Sequence, residues 1–467
     1  MSIDMLPDEV LLAIFDFCVV DEYPFANDDK KEIKEIEAWQ SLVHVCQRWR
    51  SLVFGSPHRL NLRLVCTSGT PARDTLDVWP ALPLLILASI FETSCVDNII
   101  AVLERSDCVC GIYLVVIPSS QMERVSTAMR GPFPMLTNLR LHSDGENDET
   151  PVLPDSFLGG SAPRLQQLWL ERISFPGLPK LLLSATRLYD LSLYDIPHSG
   201  YLSPDAMVTA LSTLTCLEYF LLQFQSPQSS PYQESRRPPP LSRSVLPVLT
   251  DLKFKGVSEY LDDLVARIDS PRLKDLDVTF FNQIVFDTPQ LVQFIGRTQM
   301  LKTSERASVT CSVDAARVSL SPRTSSTTSL NVEIPCMKLD WQISSLEQVF
   351  TSCLPPLSTL EDFYIDDQKL DWQDNIENSL WLELLRPFAT VENLYLSKEF
   401  ARRIVPALQE LVGGRTTEVL PALQNIFLEG LQPSGSVQRG IGQFAAARRA
   451  IGHPIAVSHW DRQLRGS

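Results

Sequence analysis

The hexapeptide GIGQFA, residues 440–445, is the segment of this chain whose spacing comes closest to a catalytic or cofactor site. Dinucleotide-binding loops use a GxGxxA spacing because the glycines let the backbone approach a pyrophosphate closely. Such a loop must follow a β-strand, whereas the preceding LQPSGSVQR is typical of a loop. The sequence therefore disfavours a nucleotide-dependent enzyme, although the motif leaves it as a third alternative.

Other catalytic motifs are missing from the sequence. No GxSxG, HExxH or GxxxxGK[ST] pattern occurs, and the 6 histidines have no metal-ligand spacing. The 10 cysteines include no CxxC pair, so neither a zinc site nor a disulfide framework is indicated. We expect a noncatalytic protein without a metal or cofactor.

Aromatic side chains that stand between regularly spaced leucines suggest the chemistry of binding. In a strand the leucines would face the core and the residues between them would face solvent, where tyrosine and tryptophan often anchor protein interfaces. The predicted substrate-binding residues are Trp169, Tyr194, Tyr219, Tyr364, Tyr395 and Phe427. Carboxylates share these outward positions, so a protein with basic and apolar features would fit. The alternative is that each ring only covers neighbouring strands by cross-strand packing.

The leucines belong to a motif, LxxLxL, that recurs nine times between Leu136 and Leu423, with a weaker copy at Val109. Apart from one gap, successive copies start 23 to 32 residues apart, as expected for one strand and one helix or loop per repeat. The pattern resembles a leucine-rich-repeat array, although the asparagine usual in that family is replaced by Ile173 and Ile196. An ordinary α/β sheet is the alternative, but its strands would be longer and mostly β-branched.

Proline stands two residues before the first leucine in five of these copies. Its fixed φ and missing N–H should end the preceding helix and start the strand. The five positions are Pro134, Pro163, Pro247, Pro271 and Pro421.

Two apolar segments near the N-terminus, LPDEVLLAIFDFC at residues 6–18 and WQSLVHVCQRWRSLV at residues 39–53, have helical spacing. Pro7, Asp8 and Glu9 form a good helix start. Apolar residues surround most of the first helix, so packing the two helices together should leave an apolar patch for a partner. The alternative is that both are buried helices of a helical domain.

Written as LPxEVLxxIF and WxxLxxVCxxWRxLV, the two segments resemble the F-box, a helical module that docks the Skp adaptor in SCF (Skp, cullin, F-box) ubiquitin ligases. The chain then resembles a fungal-type F-box protein with a leucine-rich-repeat-like C-terminal array. The resemblance implies a noncatalytic substrate receptor that contacts Skp and, through Skp, cullin. The implied adaptor-binding residues are Leu6, Pro7, Glu9, Val10, Leu11, Ile14, Phe15, Leu42, Val45, Cys46 and Trp49. A leucine-rich-repeat scaffold protein without a ligase role remains the alternative.

The predicted fold class is α/β, with an F-box at residues 1–55 and a solenoid of short parallel strands alternating with helices at residues 56–467. The F-box departs from its family by an acidic insertion at residues 19–36, with six carboxylates and three lysines in place of a short turn. Residues 225–244 and 304–330 are rich in Pro, Ser, Thr and Arg and are predicted to be loops, although Val309, Cys311 and Val313 alternate as in a strand.

Charge and hydropathy restrict the partners. The 467-residue chain carries 41 Lys+Arg and 56 Asp+Glu, a net charge of −15, which repels phosphate backbones and anionic lipids and so predicts no nucleic-acid or membrane partner. Its most apolar run, WPALPLLILASIFE at residues 79–92, contains two prolines and is too short to cross a bilayer. With no targeting peptide before Leu6, the expected location is cytoplasmic and/or nuclear.

Overall fold

A computed structural model describes most of the chain. The described residues are 5–17, 39–57, 59–67, 76, 79, 82–89, 93–145, 150–227, 242–281, 286–302, 304–323, 328–367, 376–430 and 435–461. The chain forms two compact units, Met1–Leu217 and Glu218–Ser467. The division falls inside a motif copy, LEYFLL.

Three helices open the described part of the first unit: α1 (Asp8–Asp16), α2 (Gln40–Val43) and α3 (Gln47–Gly55). Pro7 precedes α1 with extended backbone, and the acidic residues of the first turn suit the positive end of the helix. The helices share one core with the segment that follows them. This core consists of Leu11, Leu12, Phe15, Trp39, Leu42, Val43, Val53, Leu60, Leu62 and Leu82. Because the core crosses residue 55, the helices are not a separate compact unit.

The remainder of the first unit is a parallel sheet in which each strand pairs with the next along the chain. The strands are β1 (Leu64–Thr67), β2 (Leu84–Ser89), β3 (Val109–Ile117), β4 (Asn138–Ser143), β5 (Gln167–Glu171) and β6 (Asp190–Ile196). The helices are α4 (Thr93–Leu103), α5 (Ser119–Ala128), α6 (Leu178–Ser184) and α7 (Pro204–Leu211), with short 3₁₀ turns at Phe157–Gly160 and His198–Gly200. The most apolar run of the sequence thus supplies β2, and no helix among the described residues is long and apolar enough to cross a membrane.

The second unit contains a mostly parallel sheet with an irregular centre. Its strands are β7 (Tyr219–Phe224), β9 (Asp251–Gly256), β11 (Asp275–Phe280), β12 (Arg306–Cys311), β13 (Ala315–Ser321), β14 (Ser329–Pro335), β15 (Asp362–Asp367), β16 (Asn393–Leu396), β17 (Asn425–Glu429) and β18 (Ala456–Trp460). Their spatial order is β7-β9-β11-β14-β13-β12-β15-β16-β17-β18. A separate parallel pair is formed by β8 (Ser244–Val245) and β10 (Ile268–Asp269).

Helices connect most of these strands. They are α8 (Ser258–Ala266), α9 (Pro289–Arg297), α10 (Gln299–Lys302), α11 (Leu339–Gln348), α12 (Asn378–Leu385), α13 (Lys398–Gln409) and α14 (Ser436–Ala450). A π-helical turn, Val349–Cys353, extends α11.

The prediction of a loop at residues 304–330 is wrong, because this segment forms β12, β13 and the start of β14. Strand β13 runs antiparallel to both β12 and β14, which in turn pair in parallel with β15 and β11. Alternate residues such as Val309, Val318 and Val332 are buried, which stabilises a strand despite the many serines between them. Residues 228–241 of the other predicted loop, and the acidic insertion at 19–36, lie outside the described residues.

The LxxLxL repeats form the regular part of both units. All ten copies become parallel strands whose leucines face the core. In four proline-containing copies the first leucine closes a β-turn, as in the hydrogen bond from the Leu136 N–H to the Phe133 carbonyl (3.2 Å) and its equivalents at Leu165, Leu273 and Leu423. The proline occupies the second position of that turn, where its fixed φ is preferred. The same turn forms without proline at Leu188, Leu217 and Leu360, so proline fits this turn but is not required for it.

Candidate functional site

The GIGQFA motif does not form a phosphate-binding loop, because residues 440–445 lie inside α14. Gly440 is buried against α13, and a Cβ there would overlap Val405 Cγ1 and lie 2.9 Å from Gln409 Cδ. The glycine thus permits a close contact between two helices. Among the described residues, no group of three or more His, Cys, Asp and Glu is placed to hold a metal ion.

An exposed apolar surface lies on the N-terminal helices and is called the N-terminal apolar surface below. The name covers the exposed apolar residues of this segment, Met5, Val10, Ile14, Phe17 and Val45. The spacing of four and three residues places Val10 and Ile14 on one face of α1 and Phe17 at its end. Val10, Ile14 and Phe17 are 42%, 41% and 93% exposed, which is unusual for apolar residues so close together.

Five predicted adaptor-binding residues are exposed: Pro7, Glu9, Val10, Ile14 and Val45. The predicted set lacks the exposed Met5 and Phe17, although Phe17 continues the helical spacing from Ile14.

Leu11, Phe15 and Leu42, which were also predicted to bind the adaptor, are core residues in this structure. Leu6 and Trp49 are partly buried against the same core, and the Trp49 ring packs on Phe15 with centroids 4.7 Å apart. The sequence could not separate these residues from the exposed ones, because apolar residues surround α1 almost completely.

Cys46 and Arg48 fix the arrangement of the helices. The Cys46 Sγ caps α3 by accepting the Trp49 N–H at 3.4 Å. Arg48 donates from Nη2 to the Leu6 carbonyl (2.6 Å) and to Asp8 Oδ1 (2.5 Å). Ion pairs as exposed as this one contribute about 0–1 kcal/mol to stability. The main effect of Arg48 is therefore to position the start of α1 beside α3.

In the first unit, two predicted substrate-binding residues form a stack on the solvent-facing side of the sheet. The rings of Trp169 on β5 and Tyr194 on β6 are nearly parallel, at 6°, with centroids 5.7 Å apart. Arg140 on β4 places its Cζ 4.2 Å from the centroid of the Trp169 ring. The Trp169 Nε1–H donates to Glu171 Oε2 at 3.3 Å, which fixes the indole orientation. Both rings remain half-buried and therefore partly accessible.

In the second unit, Tyr364, Tyr395 and Phe427 are register partners on β15, β16 and β17. Their rings stack with centroid separations of 4.1 and 4.5 Å. Trp460 on β18 joins them, 5.6 Å from Tyr395 and 5.9 Å from Tyr364. The sequence missed Trp460 because its strand, AVSHW, carries no leucine motif.

Cross-strand packing explains part of this second aromatic group. Tyr364 is only 7% exposed, and burial raises the pKa of Tyr395 well above its usual range, with the neighbouring Tyr364 adding to the effect. Tyr219 lies apart from the stack, since it pairs with Asp251 and faces the Lys253 ammonium at 5.6 Å. The six predicted aromatics are therefore distributed over the two units, two in the first and four in the second.

A polar row that includes the buried Asp362 runs beside these rings. Asp362, which is buried, accepts a hydrogen bond from Asn393 Nδ2 at 2.8 Å, and Asn393 Oδ1 accepts one from Asn425 Nδ2 at 2.8 Å. Arg306 and Arg323 bring their Nε atoms within 3.5 and 3.7 Å of the same carboxylate. These contacts satisfy a carboxylate that would be costly to bury alone, so we interpret the row as structural.

Comparison with known proteins adds little to this geometry. No protein-family model and no curated protein matches the chain. One similar solved structure is the leucine-rich repeat-containing protein LegL7 from Legionella pneumophila, at 10% identity and a TM-score of 0.25, covering 82% of this chain and 98% of that one. A TM-score this low carries no argument. The repeated motif, the parallel strands and the buried leucines themselves define a leucine-rich-repeat-like array.

Proposed function

We propose that this chain is the substrate-receptor subunit of an SCF ubiquitin ligase. In this proposal the N-terminal helices bind the Skp adaptor, and the repeat array binds a protein substrate. The observation that carries it is the N-terminal apolar surface, since an exposed apolar patch on a helical module usually marks a protein interface. The chain itself would perform no chemistry. It would hold the substrate close to the enzyme that donates ubiquitin, raising the local concentration of the reacting groups.

The shared core gives this proposal a mechanical basis. Leu11 and Phe15 anchor α1 to the same core as Leu60 and Leu62, which immediately precede β1. The exposed face of α1 is therefore joined to the first unit by packing as well as by the chain. A substrate bound to the Trp169–Tyr194 stack of that unit would be held at a defined position relative to the adaptor.

A repeat scaffold without a ligase role is the second candidate. The array alone favours it as strongly as it favours a substrate receptor, because repeat sheets of this kind bind many unrelated proteins. The scaffold function gives no specific reason why the apolar residues Val10, Ile14 and Phe17 are exposed.

Binding of the purified full chain to purified Skp adaptor, measured by calorimetry, tests the proposal. Burial of one aliphatic side chain contributes about 1.5–3 kcal/mol, so Ile14→Asp should weaken binding at least about tenfold. Ser51→Asp, at an exposed polar position of α3, is the matched control and should bind as the unaltered chain does.

Absence of Skp binding, or equal affinity of the Ile14→Asp variant, would refute the receptor proposal. Binding to Skp without recruitment of cullin to the complex would favour the scaffold.

A further inference from the structure

Arg140 occupies the middle of β4, between the buried Leu139 and Leu141, with its side chain on the solvent-facing side of the sheet. The guanidinium lies over the Trp169 ring and is half-buried. It makes no hydrogen bond or ion pair with any residue that the structure describes, and its Nε is buried without an acceptor. A guanidinium stacked on a ring keeps its N–H donors in its own plane, directed away from the ring.

The neighbouring charged groups are engaged elsewhere. Glu171 accepts the Trp169 Nε1–H at 3.3 Å and lies 3.5 Å from His142 Nε2. Arg172 donates to the Asp144 carbonyl at 3.0 Å and lies 3.7 Å from Asp195. Burial lowers the pKa of Arg140, and Glu171 counteracts this only in part. Arg140 is thus a half-buried cation that Glu171 attracts, but whose guanidinium donors have no hydrogen-bond acceptor among the described residues.

We infer that Arg140 binds an oxyanion side chain, a carboxylate or a phosphate, of the protein docked on the first unit, while Trp169 and Tyr194 contact an adjacent apolar residue. Planar guanidinium groups bind such oxyanions through two parallel N–H···O bonds, which gives orientation as well as affinity. The inference deepens the proposed function by naming the chemistry of the substrate. It rests on that function only in identifying the docked protein as a substrate. For this unit it replaces the expected basic ligand with one that carries an acidic group.

A packing role is the competing explanation, since the Arg140 stem could serve only to cover the indole of Trp169. Arg140→Met separates the two, because methionine retains an apolar cover of similar length but has no donor or charge. Glu171→Gln removes a negative charge close to Arg140 and should therefore improve the binding of an anion. Lys253→Met is a matched control, because Lys253 is a cation placed over an aromatic ring, Tyr219, in the second unit.

The test uses the immobilised full chain to select from two nine-residue peptide libraries with five randomised positions. One library is unmodified, and the other has a fixed central phosphoserine. We expect the unaltered chain and Lys253→Met to show one of two preferences. Enrichment of Asp and Glu in the first library identifies a carboxylate ligand, and preferential retention of the second library identifies a phosphate ligand. Loss of a charge-assisted hydrogen bond should reduce this preference about tenfold or more in Arg140→Met, and Glu171→Gln should increase it.

Equal acidic preference in Arg140→Met and the unaltered chain would overturn the inference. So would a lack of acidic preference in the unaltered chain, including the retention of no peptide. Thermal unfolding of Arg140→Met verifies that the variant is folded. Skp binding is measured separately, so an acidic preference in a chain that does not bind Skp would refute the receptor proposal and leave the anion site in place.

Discussion

Arg448 has no exposed surface, and its guanidinium lies within hydrogen-bonding distance of four backbone carbonyls, those of Thr416, Leu420, Pro421 and Leu423. These carbonyls belong to the connection that leads into β17, and none of the partners is a carboxylate. Burial without a neighbouring carboxylate lowers the pKa of the Arg448 guanidinium. A single side chain of α14 thus donates to carbonyls of a connecting segment, of which only that of Leu420 also accepts the N–H of the turn at Leu423, and this is a structural use of a buried charge.

Arg448→Met should destabilise the protein by about 2–4 kcal/mol, because several buried carbonyls would lose their donor at once. Arg449→Met is the control on the same helix, since Arg449 is exposed and should change stability by less than about 0.5 kcal/mol. Urea unfolding followed by circular dichroism measures both. Equal stability of the two variants would show that the connection does not depend on the Arg448 guanidinium.

At the scale of elements, the contact between α13 and α14 depends on the absence of a side chain at one position. Gly440 faces Val405 and Gln409 of α13, whereas Gly442, two residues further along α14, is exposed and would meet nothing within 4 Å of an added Cβ. Both glycines lower the intrinsic helix propensity, but only one of them is required by packing.

Gly440→Ala should lower the midpoint of thermal unfolding, because the added methyl group must displace α13 or the side chains of Val405 and Gln409. Overpacking of this kind costs about 1–3 kcal/mol. Gly442→Ala should raise the midpoint, with a gain of about 0.5–1 kcal/mol from helix propensity. Stabilisation by both substitutions would mean that the two helices are not in close contact.

The accuracy of the sequence prediction also varies between elements for physical reasons. Leucine at fixed spacing predicted ten strands because each leucine fills the core of its repeat. β13 was assigned to a loop because serine and alanine make up four of the seven residues of AARVSLS, and β18 was missed because AVSHW carries no leucine motif. Within α1, Val10 and Leu11 could not be assigned to surface or core, since only the position of α3 decides which face is covered.

At the scale of the whole molecule, the regular repeats imply that each strand is stabilised mainly by its immediate neighbours. Contacts in such arrays are local along the chain, so a defect weakens nearby repeats more than distant ones. The division into Met1–Leu217 and Glu218–Ser467 agrees with this expectation. If the chain is the substrate receptor proposed above, local stability would let a substrate order part of the array without changing the helices proposed to bind the adaptor.

Paired core truncations should reveal this locality. Leu168→Ala removes a buried side chain of β5 and Leu394→Ala one of β16, each at a cost of about 2–5 kcal/mol. We expect Leu168→Ala to accelerate amide hydrogen exchange in β4–β6 far more than in β15–β17, and Leu394→Ala to produce the reverse. Hydrogen exchange followed by mass spectrometry of peptides measures both in the full chain. Uniform acceleration over all strands by either variant would show instead that the chain unfolds as one cooperative unit, and that the two units share their stability.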